Sequence, residues 1–289
     1  MLTSIMGSDS TAPVFVHSDI LPIVSNYNID IRTLIGDKDL EAVLMRRIVD
    51  QLRIHVDGRD LWMPGYNYMF CRDGVYDINQ SVCEVGSLPE FFRLNVANWR
   101  TAVPVFSITG IGNAPDYHLD HTRIDPFSVF SDYHQLVARN GVILFYGAEF
   151  SPTFIHYIER IYRSGPIYRY DKFFSGVVID GHKVTNATLI YHVIPKGMVI
   201  KYDMPKLFTD LVSAGVLHRL PTEFQPCFAI EARGMLEFCI QQLDIDPLYF
   251  LTESTKNMVE TLLGKLGRRF ALSDFNDQHQ GVHQINEIR

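Results

Sequence analysis

Thr153, His156 and Glu159 stand three residues apart in the stretch GVILFYGAEFSPTFIHYIER, which runs from Gly141 to Arg160. A histidine takes up and returns a proton near neutral pH, so His156 is a candidate general base. Ser151-Pro152 reads as a helix start, with serine as N-cap and proline at the first helical position. The first turn of such a helix carries N–H groups without intrahelical partners, and these can hold an oxyanion or a phosphate. On a wheel of about 100° per residue, Phe154, Ile155, Ile158, Ile161 and Tyr162 share one arc, while Thr153, His156, Glu159 and Arg160 share the opposite one. The competing reading is a solvated face on an ordinary amphipathic helix. Position favours chemistry: GVILFYGA reads as a buried strand directly ahead of the helix, and ligands of α/β proteins sit outside the carboxyl ends of strands.

The surrounding elements must hold that corner. PVFVHSDI gives a buried strand over Val14–Val16, ending in a polar corner at His17-Ser18-Asp19. In DKDLEAVLMRRIVDQLRI, Leu40, Val43, Leu44, Ile48 and Leu52 recur at helical spacing, with Asp37 as cap. LWMPGYNYMF reads as a strand ending at the turn Pro64-Gly65, and AVPVFSITGIG as another strand. Ser128–Arg139 reads as a helix closed by a left-handed cap at Asn140-Gly141. After the helix over 151–163 come the strands FFSGVVID, TLIYHVI and MVIKY, the first two joined by a hairpin at Asp180-Gly181-His182-Lys183. A helix starts at Pro205 and ends at Gly215, and two more cover 230–243 and 253–266. Alternating strands and helices indicate an α/β fold with mixed sheets flanked by helices. No composition break marks a linker, so 1–289 reads as one large α/β domain, or as two packed lobes at about 13–163 and 164–272. Residues 1–12 read as loose and 273–289 as a polar tail.

Hydrophobic residues make up 47% and charged residues 20% of the 289, which suits a folded chain with a substantial core. The net charge of −7 and the lack of a cationic stripe argue against nucleic acid as a partner. The four cysteines, Cys71, Cys83, Cys227 and Cys239, show no CxxC spacing, so no structural metal is expected. With no secretory signal and no apolar run of membrane length, the expectation is a cytoplasmic protein with reduced thiols and no membrane partner. His118 and His121, with Asp116, Asp120 and Asp125, fit no standard zinc signature and read as a polar loop.

The corner resembles that of the aminoglycoside 3-N-acetyltransferase family, whose pattern joins a glycine after an apolar strand to T-x-x-H-x-x-E. Gly147, Thr153, His156 and Glu159 match it. Further upstream, Gly86, Glu90, Arg93, Arg100, Pro104, Ser107 and Gly110 keep the family's framework, and FVHSDI is similar to its first strand and coenzyme A loop. IDPFSVFSDYHQLVARNG resembles the segment ahead of the histidine strand. The match covers most of residues 13–163. Val103 and Thr101 depart from the family's R-S-x-H-P, and Tyr191-His192 lies where the family places the acidic partner of its histidine.

The resemblance implies an aminoglycoside 3-N-acetyltransferase-like (GNAT-related) architecture and acyl transfer from acyl-coenzyme A, acetyl or longer, to a primary amine. His156 would then be the base. Thr153 would hydrogen-bond the oxyanion or the leaving sulfur, and Glu159 would hold the ring or the amine. His17, Ser18, Asp19, Arg100 and Ser107 are the expected coenzyme A contacts, although a structural ion pair is the competing role for Arg100. Glu149, Tyr66 and Asp77 are the acceptor-side candidates, Asp77 also being a more distant carboxylate for His156. The acceptor reading is a small-molecule amino sugar, in first place a nucleotide-linked one destined for surface polysaccharide, because acidic residues are only modestly in excess. The alternatives are an aminoglycoside antibiotic, a non-catalytic binding protein of the same fold, and an acyltransferase using Cys71 or Cys83 as nucleophile. The expected assembly is a monomer or homodimer.

Overall fold

The computed structural model describes residues 11–26, 37–220 and 226–275. Residues 1–10 and 276–289, most of the start expected to be loose (1–12) and of the expected polar tail (273–289), lie outside the described residues, while Leu272–Phe275 form a short 3-10 helix whose Phe275 stacks on Tyr170.

The apolar runs of the sequence become the centre of a sheet. β1 (Val14–Ser18) lies between β2 (Leu61–Pro64) and β6 (Val142–Tyr146), parallel to both. Antiparallel strands extend it on both sides. β5 (Ile108–Ile111) and β4 (Trp99–Arg100) flank β2, and β10 (Cys227–Glu231) and β9 (Leu217–Arg219) flank β6. The order is β4-β5-β2-β1-β6-β10-β9. The central strands are buried on both faces, as parallel strands are. Val14, Val16, Leu61, Met63, Val142, Leu144 and Tyr146 point to one face, while Phe15, Trp62, Ile143 and Phe145 point to the other.

The first face is covered by α1 (Ile20–Asn26), α2 (Lys38–His55) and, beyond the one-turn α3 (Phe70–Asp73), by α4 (Ser87–Asn95). The other face carries α5 (Asp132–Ala138) and α6 (Phe154–Ile161). Further along it lie α7 (Met204–Ser213), which fills its own first turn with Pro205, and α8 (Ala232–Ile245). A second sheet of three strands closes over α6. β3 (Val75–Asp77) runs parallel to β7 (Tyr170–Asp180), which pairs antiparallel with β8 (Lys183–Val193). Asp180 pairs with Lys183, so Gly181-His182 is the two-residue hairpin loop expected from sequence. α9 (Glu253–Leu266) seals a smaller cluster with Tyr168, Tyr170, Leu248 and Phe270.

Several expectations shift. MVIKY forms no strand; Tyr202 makes an isolated bridge to Leu251. The predicted helix at Ser128 begins at Asp132, because Ser131 is the cap that accepts from His134 N–H. Its left-handed residue is Asn140 (φ 51°), while Gly141 is excluded from larger side chains by Leu136. Among the described residues no helix is long and apolar enough to cross a membrane.

Candidate active site

β1 and β6 end side by side, with Ser18 opposite Tyr146. From β1 the chain passes to β2 on one side, whereas β6 lies on the other, so their carboxyl ends flank a switch point of the sheet, where α/β folds gather ligands. The turn after β6 depends on Gly147, which sits at φ 68°; a Cβ there would lie 2.6 Å from the Asp19 carbonyl oxygen.

α6 starts later than its sequence suggests. Ser151-Pro152 forms a lead-in turn, with Ile155 N–H donating to Pro152 and His156 N–H to Thr153. Thr153 occupies the cap position with helical backbone angles, and its hydroxyl does not cap the helix. Its side chain shares one cavity wall with Tyr66.

The polar arc of α6 is not a wet face. Glu159 is 1% exposed and takes hydrogen bonds from the hydroxyls of Tyr168 and Tyr202 on Oε1. Arg169 Nε lies 3.1 Å from Oε2. His156 Nδ1 lies 3.3 Å from the same Oε2, and Arg169 Nη2 lies 3.4 Å from that ring nitrogen. Arg169 also donates to the His192 carbonyl and to the Tyr202 hydroxyl. Burial pushes the Glu159 carboxyl up, but the Arg169 guanidinium and the hydrogen bonds from His156 and Tyr168 outweigh it and hold the group at about 2. Burial lowers the His156 value, Arg169 adds to that, and Glu159 works against it; the net shift is downward, so the ring is neutral at pH 7. With Glu159 accepting from Nδ1–H, the lone pair is left on Nε2.

A second histidine stands close by. His192 Nδ1 lies 2.8 Å from Asp171 Oδ1, and Asp171 is held by both nitrogens of the Arg160 fork. Arg160 Nε reaches Asp125 at 2.7 Å. Asp125 is thereby tied to a helix arginine rather than to its neighbouring loop histidines.

Two cavities meet beside Thr153. One, of about 520 Å³, is lined by Thr153, His156, Arg169, His192 and Tyr202 among largely apolar and aromatic walls. Among the described residues that wall holds no carboxylate. The other, of about 260 Å³, is lined by His17, Ser18, Tyr66, Glu149 and Thr153. Ser151 and Thr153 belong to both. The His17 ring stacks on Phe145, and burial pushes its value down to about 4, so it is neutral. The Ser18 hydroxyl and His17 Nε2 are buried with no hydrogen-bond partner among the described residues.

The structure thus brings Thr153, His156, Glu159, His17, Ser18, Tyr66 and Glu149 to one junction. Four other candidates are occupied elsewhere. Arg100 donates to the carbonyls of Ile78, Ser81 and Gly65 and to the Ser107 hydroxyl, and Ser107, fully buried, donates to Gly65. Asp19 accepts from Leu21 N–H at the start of α1. Asp77 accepts from the N–H groups of Asn79 and Gln80, which makes it a turn former rather than a partner for His156. The thiols of Cys71 and Cys83 are pushed up by burial, Cys71 to about 12, which is the wrong direction for a nucleophile. Sequence reading missed Arg169, Tyr168 and Tyr202. The one available signal was the charged pair Arg169 and Asp171 alternating with tyrosines at the entry to an apolar strand.

The model of the family described as aminoglycoside 3-N-acetyltransferase matches residues 59–244. Among solved structures, the apoenzyme of aminoglycoside acetyltransferase AAC(3)-IVa is 18% identical, with a TM-score of 0.59 over 86% of this chain and 88% of that one. AAC-IIIb in its binary complex with CoASH is 16% identical, with a TM-score of 0.59 over 84% and 93%. AAC-VIa bound to sisomicin is 18% identical, with a TM-score of 0.61 over 84% and 94%. At these identities the likeness is one of fold. A comparison with curated proteins gives no match.

Proposed function

The chain belongs to the aminoglycoside 3-N-acetyltransferase family, enzymes of coenzyme A-dependent N-acyl transfer, and we propose that it moves an acetyl group from acetyl-coenzyme A to a primary amine of an aminoglycoside, with His156 as base. The observation that carries the reading is the neutral His156 ring, backed by Glu159 through Nδ1, at the junction of two cavities that share Thr153.

In this reading the thioester enters past His17 and Ser18, and the acceptor occupies the larger cavity. The amine arrives as ammonium and gives one proton to solvent before it can attack. His156 Nε2 accepts a proton from the nitrogen as the C–N bond forms. The oxyanion of the tetrahedral intermediate takes hydrogen bonds from the Thr153 hydroxyl and from N–H groups at the start of α6. Collapse breaks the C–S bond, and the proton on His156 passes to the departing thiolate, leaving an amide and free coenzyme A. Glu159 fixes the ring tautomer and offsets the charge that the imidazolium carries in between. Holding amine and thioester together supplies a further large share of the acceleration.

The family and the sisomicin-bound neighbour put aminoglycosides first among acceptors. One observation favours a second class. Among the described residues the wall of the larger cavity offers a polycation no carboxylate, which suits better an amino sugar bearing an anionic group, such as a nucleotide-linked one. A screen of acetyl-coenzyme A against aminoglycosides and nucleotide-linked amino sugars, reading free thiol, decides between them. Thiol release that no amine accelerates would sink both.

A further inference from the structure

Val105 holds a backbone conformation that its side chain disfavours. Its φ is 67°, and the Phe106 N–H donates to the Pro104 carbonyl at 2.8 Å, closing a three-residue turn around it. Positive φ is uncommon for a residue with a Cβ and an outlier for a β-branched one, and a three-residue turn of this hand is strained. Such strain persists only where the surroundings enforce it. The segment after β2 does so. Asn67 N–H donates to the Val105 carbonyl at 3.1 Å, and Gly65 N–H to the Ser107 carbonyl at 2.7 Å, so the backbone is gripped on both sides of Phe106. Val103 and Val105 are sunk in the core, at 2% and 0% exposure.

The turn fixes where the Phe106 ring goes. Phe106 is buried and lines the larger cavity, where it packs on Phe127 and Tyr191 with centroids 4.7 and 5.4 Å away. It also meets Tyr66 and Tyr68 nearly at right angles, at 5.4 and 6.4 Å, and both of these line the smaller cavity. Phe106 therefore stands between the walls of the two cavities, which have only Ser151 and Thr153 in common among the described residues.

We propose that Phe106 is a specificity-determining residue, the partition that holds the transferred group to acetyl and shuts out acyl chains of butyryl length. The inference rests on the reading that thioester and amine meet at Thr153. A two-carbon acyl group ends at that junction. A longer chain finds its way closed by the Phe106 ring and its aromatic neighbours. It turns instead into the larger cavity and takes the space of the amine. The strained turn at Val105 keeps the ring in place against such a chain.

The test is competition between acetyl- and butyryl-coenzyme A in wild type, Phe106→Leu and Phe106→Ala, with the aminoglycosides and nucleotide-linked amino sugars named above as acceptors. Mass spectrometry reads the ratio of the two amide products. A ratio taken within one sample does not depend on how much of a variant is folded, so a purely structural role for the ring leaves it unchanged. The added methylenes cost wild type at least about tenfold in kcat/KM for the butyryl donor. Phe106→Ala raises the butyryl share by about tenfold or more, with Phe106→Leu in between. Wild type that uses both donors equally overturns the inference before any variant is made, and so does a ratio that neither substitution moves. Either result beside normal acetyl transfer removes the role of Phe106 alone. No amide from any of the acceptors with either donor removes the acyl-transfer reading itself, and this inference with it.

Discussion

His156 Nδ1 lies 3.3 Å from Glu159 Oε2, one turn along the same helix. A pair at this spacing on an exposed helix contributes only a few tenths of a kcal/mol, about 0.2–0.5. Here the second sheet folds over it, and Arg169, Tyr168 and Tyr202 converge on the same carboxylate. A local pair becomes a buried, charge-balanced cluster that sets the tautomer and proton affinity of the ring.

The first consequence is a pH dependence. His156 is shifted down from its ordinary 6.5, chiefly by burial. Its reactive form is the neutral one, so the ring itself titrates on the acid side, below the ordinary histidine value. Because the amine must also lose a proton, kcat/KM mixes two ionisations, and NMR titration of the His156 ring in the free enzyme reads the ring alone. A midpoint above 6.5 would mean that the ring is stabilised as imidazolium, against the environment described here.

Removing the ring should cost turnover rather than fold. His156→Gln keeps much of the shape but no base, and kcat drops by about 10²–10⁴-fold with the KM for acetyl-coenzyme A little changed. Free-thiol assays at saturating donor read this directly. Retention of more than a tenth of the wild-type rate would assign the base elsewhere, with His192 the nearest alternative in the same cavity wall.

Glu159 should matter to stability as well. Glu159→Ala strands the Arg169 guanidinium, which is 6% exposed, and breaking a buried pair from one side costs about 3–5 kcal/mol. Chemical denaturation measures that loss. The carboxyl is held at about 2 against an ordinary 4.5, so it contributes stability above 4.5 that disappears as the pH falls through that value toward 2. The variant should therefore lack the part of the acid-induced loss that wild type shows in this window.

The strand–turn–helix corner was legible because it is local. Apolar runs mark β1 and β6, and helical spacing groups Thr153, His156 and Glu159. Periodicity reports only which residues share a face, however, and says nothing of what covers it. Glu159 meets Tyr202 from 43 positions away, and no pattern in either segment announces the meeting. The face of α2 shows the same limit. Leu40 and Val43 sit in its apolar series but are 40% and 66% exposed, because packing begins only at Leu44 and takes in Met45 and Val49 instead. Arg100 and Asp77 show the same limit: their types fit a ligand, while the carbonyls and N–H groups they satisfy belong to loops without a sequence signature.

Gly147 should tolerate no side chain. Its φ of 68° costs an L-residue about 1–2 kcal/mol, and a Cβ would press on the Asp19 backbone oxygen at 2.6 Å and on Ile23 Cγ1 at 2.7 Å. Gly147→Ala should lower the melting temperature and turnover together, since the contact joins the ends of β1 and β6. A variant with normal stability and activity would show that the turn relaxes freely.

Arg100 separates a structural role from a cofactor role. Its guanidinium stacks 5.1 Å over Tyr76 and ties three loop carbonyls, those of Gly65, Ile78 and Ser81, to the Ser107 hydroxyl. Those donors are spent within the protein, so a phosphate would have to compete with several formed bonds. Arg100→Ala takes the donor from the part-buried carbonyls of Ile78 and Ser81, at about 1–3 kcal/mol for a group so stranded, while Gly65 keeps the Ser107 hydroxyl. Arg100→Lys restores the charge but not the fork, so it should recover only part of the stability. Calorimetric titration with coenzyme A on the folded fraction is the deciding measurement. Affinity within a few-fold of wild type places Arg100 in the scaffold. A loss of more than about tenfold in Arg100→Ala, recovered by Arg100→Lys while stability is not, would return it to the coenzyme A site.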